Sequence, residues 1–122
     1  MDKKRILVVD DEPHLVRSLT FILGKEGYEV HTAIDGEEAI KKVREHSPAL
    51  LLLDLMMPRK NGYEVCQEIR SMENSNGIYV IVLSAKGSET DKEKALGFGA
   101  NEFISKPFSP VEVVSRVKQI LK

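Results

Sequence analysis

Residues 6–13 read Ile6-Leu7-Val8-Val9-Asp10-Asp11-Glu12-Pro13, so four consecutive apolar residues are followed by three acids and a proline. A short, continuous apolar run is typical of a parallel strand that is covered on both faces. Proline is suited to the first turn of a helix, because its missing N–H would have no helical partner there. The segment therefore predicts a buried strand, an acidic turn and then a helix.

The same order of segments recurs along the chain. Further apolar runs lie at 49–53 and 78–83, and weaker candidates lie at 28–33 and 101–105. Apolar residues at helical spacing occupy 15–23, 39–43, 65–69 and 113–121, and a weakly apolar segment at 90–96 predicts a marginal helix. Five strand–helix pairs in succession predict an α/β fold, with a doubly wound parallel sheet and helices on both faces.

Helix ends are indicated by polar residues at fixed spacing. Asp35 with Glu38, and Ser109 with Glu112, have the spacing of a capping box, in which each residue accepts a backbone hydrogen bond at the start of a helix. Gly27 is suited to the end of the first helix. Asn61-Gly62 and Asn76-Gly77 predict turns.

Composition limits the class of protein. The chain has 122 residues, of which 42% are hydrophobic and 30% charged, and its formal net charge is −1. This suits a single domain over residues 1–122 and does not predict a nucleic-acid surface. One cysteine, Cys66, excludes an internal disulfide and is expected in the core. The four apolar residues after Arg5 are too few for a signal peptide or a membrane span, so a cytoplasmic location is expected.

Chemistry-bearing residues follow the predicted strands. Ligands in open α/β sheets bind beyond the carboxyl ends of the strands, where the strand order reverses. Asp10 and Asp11 follow the first strand, Asp54 the third, Ser84 the fourth and Lys106 the fifth. If the strand order is 2-1-3-4-5, the first and third strands are neighbours and the three acids converge.

Three carboxylates in one pocket repel one another unless a cation neutralises them. Oxygen ligands favour Mg²⁺ or Mn²⁺, and the sequence suggests no His/Cys cluster for zinc. A metal beside a carboxylate nucleophile and a lysine is suited to phosphoryl transfer. His31 and His46 are interpreted as solvated side chains, and no role is assigned to His14.

Each site residue also has a purely structural explanation. Asp10 and Asp11 suit a helix N-terminus, Asp54 a turn, Ser84 a loop cap and Lys106 a solvated surface. Their joint placement at the ends of different strands favours the functional interpretation.

Four stretches stand out in order along the chain: the segment at 6–13, Leu53-Asp54-Leu55-Met56-Met57-Pro58 with Asn61-Gly62 after it, Val82-Leu83-Ser84-Ala85-Lys86, and Ser105-Lys106-Pro107-Phe108. Together they resemble the motifs of response-regulator receiver domains, the family to which chemotaxis regulators belong. The resemblance covers essentially the whole chain. It implies a flavodoxin-like sheet of order 2-1-3-4-5 with five helices.

The resemblance also implies a metal site and a phosphoacceptor. Asp54 is expected to accept a phosphoryl group from the phosphohistidine of a histidine kinase. Asp11 and Asp54 are expected to bind Mg²⁺ directly, Asp10 mainly through water, and Met56 through its backbone carbonyl.

Further roles follow from the same resemblance. Lys106 is expected to pair with the phosphoryl oxygens and to precede a cis peptide bond to Pro107, and Ser84 to hydrogen-bond the attached group. Phe103 stands at the family's aromatic switch position and is expected to turn inward as Ser84 moves. The face formed by the fourth helix, fifth strand and fifth helix is then expected to repack for partner binding or homodimerisation, with the mobile element at the fourth helix, flanked by Gly87, Gly97 and Gly99.

The chain departs from the family's common pattern in a few places. Asn61 replaces a frequent Asp, from which only a turn effect is expected, and Ser84 replaces the commoner Thr. Met56 and Lys86 occupy positions that tune how fast water reaches the acyl phosphate, so the phosphoryl lifetime stays open.

Two versions of the signalling interpretation remain. The chain is either a complete single-domain protein that binds a downstream target, as its Met1 start favours, or the receiver of a longer regulator with a C-terminal effector domain. Neither version predicts an enzyme, a membrane association or direct nucleic-acid binding by this chain. An aspartyl-phosphate phosphohydrolase is disfavoured because Met56 stands where such enzymes need a second acid, and a flavin-binding module because the strand ends are acidic.

Overall fold

The computed structural model of the chain describes residues 3–55, 60–72, 77–84 and 89–121. Strands and helices alternate throughout these ranges. The strands are β1 (Arg5–Val9), β2 (Glu29–Ala33), β3 (Leu50–Asp54), β4 (Tyr79–Ser84) and β5 (Glu102–Ser105). The helices are α1 (Pro13–Lys25), α2 (Gly36–His46), α3 (Gly62–Ser71), α4 (Glu89–Gly97) and α5 (Pro110–Ile120). All five predicted strand–helix pairs are present, with boundaries that differ from the apolar runs by a residue or two.

The five strands form one parallel sheet in the order β2-β1-β3-β4-β5. This is the flavodoxin-like order that the resemblance implied, so the fold prediction is confirmed. The order reverses between β1 and β3, which pair with Val9 opposite Leu53. A crevice at the carboxyl ends of these two strands is thus the expected ligand site.

Alternate residues of each strand enter two separate cores. Leu7 and Val9 pack with residues of α2 and α3, whereas Ile6 and Val8 pack with residues of α1 and α5. Because both faces are covered, every residue of β3 is buried. Full burial of a leucine, isoleucine or valine side chain contributes about 1.5–3 kcal/mol to the stability of the fold. This gain explains why the central strands are continuous apolar runs.

The starts of the helices agree only in part with the sequence. The Asp35 carboxylate accepts a hydrogen bond of 2.8 Å from the N–H of Glu38, as predicted, but the Glu38 side chain accepts from Ile34 rather than Asp35. Ser109 precedes α5, yet its hydroxyl makes no capping hydrogen bond, so the predicted box with Glu112 is wrong. The Glu112 N–H instead donates to the Ser109 carbonyl over 3.0 Å. The donor that the Ser109 hydroxyl would have capped therefore already has a backbone partner.

Two helices end at glycines with a positive φ. Gly27 (φ +93°) follows α1, as predicted, and the Tyr28 N–H beyond it donates to the Leu23 carbonyl. Gly99 (φ +111°) follows α4, and the Ala100 N–H donates to the Ala95 carbonyl in the same way. Both ends have the hydrogen bonds of a Schellman motif, which requires the left-handed conformation that glycine adopts without strain.

Helix α4 is weakly apolar, as the sequence predicts, and Ala95 alone is fully buried among its described side chains. Gly87, which was expected to flank a mobile element here, lies outside the described residues. In the part of the chain that is described, no helix has the length and apolar character needed to cross a membrane.

Candidate functional site

Asp10 and Asp54 lie side by side at the reversal of strand order. Val9 of β1 pairs with Leu53 of β3, so the next residue of each chain segment reaches the same edge of the sheet. Asp10 is completely buried and Asp54 is 5% exposed. The Asp10 backbone N–H donates to the Ala33 carbonyl over 3.1 Å, and its carboxylate accepts from the N–H of Glu12 over 2.9 Å. Asp10 is therefore fixed on both its main-chain and side-chain sides.

Asp11 completes an acidic triad at the mouth of the crevice. It is exposed, in contrast to the other two acids, and one carboxylate oxygen from each residue lies within 4.8 Å of the others. Like charges at this separation repel, most strongly where the groups are buried. The three acids that the sequence predicted to converge do so.

Lys106 supplies the positive charge of the crevice. Its ammonium donates to Asp10 over 2.8 Å and lies 3.8 Å from an oxygen of Asp54. Burial lowers the pKa of Lys106, but the hydrogen bond and charge of Asp10, with the charges of Asp54 and Glu12, outweigh it, so the net pKa is raised. Lys106 is thus an ammonium ion at neutral pH, and its peptide bond to Pro107 is cis, as the resemblance implied.

The charge of the crevice fits a bound divalent cation. Three carboxylates and one ammonium leave a formal net charge of −2. The donors of the triad are all carboxylate oxygens, which is the ligand chemistry of Mg²⁺ or Mn²⁺. Met56, whose carbonyl the resemblance implies as a further ligand, lies outside the described residues.

Ser84 and Phe103 share one face of the sheet. Ser84 ends β4, is 1% exposed and pairs with Ser105. Phe103 pairs with Val82, two residues before Ser84, and is packed against the core on the side of α2 and α3. Because side chains two residues apart project from the same face, Ser84 and Phe103 are diagonal neighbours. The backbone N–H of Lys106 also donates to the Ser84 carbonyl over 2.7 Å, which links the strand ends of β4 and β5.

Gly62 is a site residue that the turn interpretation missed. A Cβ at this position would lie 2.7 Å from the backbone oxygen of Asp54 and 2.7 Å from the Cα of Leu55. Asn61 holds α3 in this position through a complete capping box with Glu64, so it is a helix N-cap as well as a turn residue. The signal was present in the sequence, since Asn61 and Glu64 have the required spacing.

Two predictions about side chains outside the crevice have different outcomes. Cys66 is completely buried, as predicted, and burial raises the pKa of its thiol to about 11. The prediction that His31 and His46 are solvated is confirmed only in part, because their side chains are 26% and 30% exposed and their rings stack. The structure also groups them with Glu29, so the sequence-based statement that there is no histidine cluster is corrected. Lys86 lies outside the described residues.

Comparisons with known proteins agree with this geometry. Residues 6–118 match the model of a family described as the response regulator receiver domain. The chain is 46% identical over 119 residues to the alkaline phosphatase synthesis transcriptional regulatory protein PhoP of Bacillus subtilis (strain 168), and the match covers 98% of this chain and 49% of that protein. The chain therefore spans about half the length of this curated relative.

Solved structures give the same result. A putative response regulator from Chloroflexus aurantiacus J-10-fl is similar with a TM-score of 0.90 and 34% identity, and 98% of each chain is covered. A CheY-like response regulator receiver domain protein from Methanospirillum hungatei JF-1 is similar with a TM-score of 0.90 and 30% identity, and the match covers 98% of this chain and 94% of that one.

Proposed function

Because the chain belongs to the family of response regulator receiver domains of two-component systems, we propose that Asp54 accepts a phosphoryl group from the phosphohistidine of a histidine kinase. The observation that carries this proposal is the position of Lys106, whose ammonium lies between Asp10 and Asp54 in a crevice of three acids. The proposed receiver domain spans residues 1–122.

Asp54 is suited to be the nucleophile. It ends the central strand β3 and is nearly buried, so its carboxylate is held by the sheet at the floor of the crevice. One of its oxygens forms the new O–P bond as the P–N bond of the phosphohistidine breaks, and the electron pair of that bond returns to the imidazole nitrogen. The product is an acyl phosphate on Asp54.

Asp11 and Asp54 would bind Mg²⁺ directly and Asp10 mainly through water, with Mn²⁺ as the alternative ion and the carbonyl of Met56 as a further proposed ligand. When bound, the ion neutralises negative charge on the transferring oxygens. Asp11 is the exposed member of the triad and gives the ion access from solvent, whereas Asp10 is anchored by its hydrogen bonds to Glu12 and Lys106.

Lys106 and Ser84 respond to the attached group. The Lys106 ammonium is 2.8 Å from Asp10 and 3.8 Å from Asp54, so a small movement of a flexible side chain brings it onto a phosphoryl oxygen at Asp54. Ser84 lies one residue beyond Leu83, the partner of Asp54 across β3 and β4. Its hydroxyl hydrogen-bonds the phosphoryl group, which adds acceptor oxygens and negative charge at this edge.

Phe103 transmits the change to the surface formed by α4, β5 and α5. It is diagonal to Ser84 on one face of the sheet and only partly buried, so it has a path inward when Ser84 moves. The repacked surface then binds a downstream protein, an effector domain or a second copy of the chain. An effector domain is consistent with the longer transcriptional regulatory protein that the chain matches over about half its length.

The chain is a signalling domain rather than an enzyme in the usual sense, and it assists only its own phosphorylation and dephosphorylation. A cytoplasmic location follows from its proposed donor, a histidine kinase. Neither phosphohydrolase activity nor flavin binding is favoured by an observation at the site.

Chemical trapping of the acyl phosphate tests which residue is modified. The protein is incubated with acetyl phosphate and Mg²⁺, reduced with borohydride, digested and sequenced by tandem mass spectrometry. Borohydride converts an aspartyl phosphate to homoserine, so the proposal predicts homoserine at position 54. Homoserine at position 10 or 11, or at no position, would refute the assignment.

A further inference from the structure

A second group of potential ligands lies at the other end of the sheet. Glu29 is the first residue of β2, His31 is two residues further along the strand, and His46 is the last residue of α2. One ligand atom from each side chain lies within 4.8 Å of the others. We refer to these three residues as the histidine cluster. The acidic triad occupies the carboxyl ends of the strands, whereas Glu29 begins its strand, so the two groups are separate.

The fold brings the cluster together. His31 pairs with Leu7, and Leu7 and Ala33 belong to the core on the side of α2. Residues two apart on a strand project from the same face, so Glu29 and His31 also face α2. The histidine rings stack at 3.7 Å between centroids and 12° between planes, and the Nε2 of His31 is 2.7 Å from a carboxylate oxygen of Glu29.

We propose that the histidine cluster binds a divalent transition-metal ion such as Zn²⁺. Two imidazoles and a carboxylate are ligands of the kind that Zn²⁺ takes in proteins, and they leave a fourth position for water. The three ligand atoms are already within 4.8 Å. Ligands of a tetrahedral Zn²⁺ site are about 3.3 Å apart, given bond lengths of about 2.0–2.1 Å.

Binding requires a limited rearrangement. The lone pairs of two parallel rings cannot point at one ion, so one imidazole rotates out of the stack. The hydrogen bond between His31 and Glu29 opens from 2.7 Å to the ligand–ligand spacing of a metal site. Both histidine side chains and Glu29 are partly exposed, so they have room for this movement and the ion has access from solvent.

Some charges beside the histidine cluster oppose the binding of a cation and others favour it. Arg5 lies 3.0 Å from the same oxygen of Glu29 and donates to the carbonyl of His46, so it opposes a cation. The carboxylate of Glu45 is 3.9 Å from the Nε2 of His46, and the cluster adjoins the C-terminal end of α2, where the helix dipole is negative. Because Arg5 and His31 both contact the Oε2 of Glu29, the proposed site would use the other carboxylate oxygen of Glu29 where Arg5 stays in place.

A bound ion would join two elements at the edge of the fold. β2 is the outermost strand on its side of the sheet, and His46 belongs to the helix that follows it. Because its ligands come from both β2 and α2, the ion would cross-link the strand to the end of that helix, whether or not the chain is phosphorylated. The proposal does not rest on the function assigned to Asp54.

Zn²⁺ titration by calorimetry, with Mg²⁺ in large excess to occupy the acidic triad, tests the proposal. The test compares wild type with His31→Gln, His46→Gln and the control His14→Gln, which removes an exposed histidine on α1. We expect one Zn²⁺ per wild-type chain, with affinity that falls on the order of tenfold or more in each cluster variant and is unchanged in His14→Gln.

Thermal unfolding in EDTA shows whether each variant is folded. If His31→Gln does not fold, the test depends on His46→Gln alone. This variant is expected to fold, because residue 46 is the last residue of α2 rather than part of a strand. Equal Zn²⁺ affinity in wild type and the folded cluster variants would overturn the proposal. So would Zn²⁺ binding that Mg²⁺ displaces and Asp11→Asn abolishes, because this result places the ion in the acidic triad.

Discussion

The ammonium of Lys106 donates a hydrogen bond of 2.8 Å to the carboxylate of Asp10, although the two residues are 96 positions apart in the chain. The contact joins the carboxyl end of β1 to the segment that follows β5, across the strands between them. It also provides a buried carboxylate with a positive partner. The predictions below concern this crevice and the segments that position it.

The Lys106–Asp10 contact should make the free energy of unfolding depend on pH, in a direction that the pKa shift of Lys106 fixes. The pKa of Lys106 is raised in the folded protein. The stabilisation that the charged lysine provides is therefore complete at pH values below its pKa in the unfolded chain, and it is lost as the pH rises through its pKa in the folded protein. The difference in unfolding free energy between wild type and Lys106→Gln should be constant near neutrality and shrink above about pH 10.4. Urea unfolding at a series of pH values measures it. A difference that instead grows with alkaline pH would contradict the contact.

Mg²⁺ should stabilise the fold, because it relieves repulsion among the three acids. An ion that binds only the folded state contributes about 2.7 kcal/mol at 100 times its dissociation constant. The melting temperature of wild type should therefore rise with Mg²⁺, and Asp11→Asn should reduce this rise. An unchanged wild-type melting temperature at saturating Mg²⁺ would remove the main support for a metal in the crevice.

Gly62→Ala should displace the start of α3 from the end of β3, because the added Cβ would meet the backbone of Asp54 and Leu55 at 2.7 Å. We expect a loss of about 1–3 kcal/mol in unfolding free energy and slower phosphorylation. Gly24→Ala is the matched control. Nothing lies within 4 Å of its new Cβ, and it should gain about 0.5–1 kcal/mol from helix propensity. Equal effects of the two substitutions would show that the close approach at Gly62 is unimportant.

Asp35→Ala and Ser109→Ala should differ although both residues precede helices. The Asp35 carboxylate accepts a capping hydrogen bond and the Ser109 hydroxyl does not. Chemical denaturation should show a loss of about 0.5–2 kcal/mol for Asp35→Ala and a change within about 0.5 kcal/mol for Ser109→Ala. A larger loss for Ser109→Ala would restore the capping role that the sequence suggested.

The central strands could be predicted from the sequence, because a strand that is buried on both faces is a continuous run of apolar residues. The continuous apolar runs that became β1, β3 and β4 show this directly, and the residues that follow them marked the edge where Asp10, Asp54 and Ser84 lie. The strand order itself came from the resemblance, since local patterns do not specify which strands are neighbours.

The features that were missed depend on contacts between distant segments or on competition for hydrogen bonds. His31 and His46 are 15 positions apart and meet only because α2 packs on β2. The Ser109–Glu112 spacing was correct, yet a backbone hydrogen bond replaced the side-chain cap. Asn61 was interpreted as a turn residue, although its spacing to Glu64 also fits the capping box that forms.

The central claim is that Asp54 takes a phosphoryl group with the help of a divalent ion. The most direct measurement is the intact mass of the protein after incubation with acetyl phosphate, with and without Mg²⁺, for wild type and Asp54→Asn. The account predicts the gain of a single phosphoryl group by wild type only in the presence of Mg²⁺, and no gain by the variant. No gain under any condition, or an equal gain by Asp54→Asn, would contradict it.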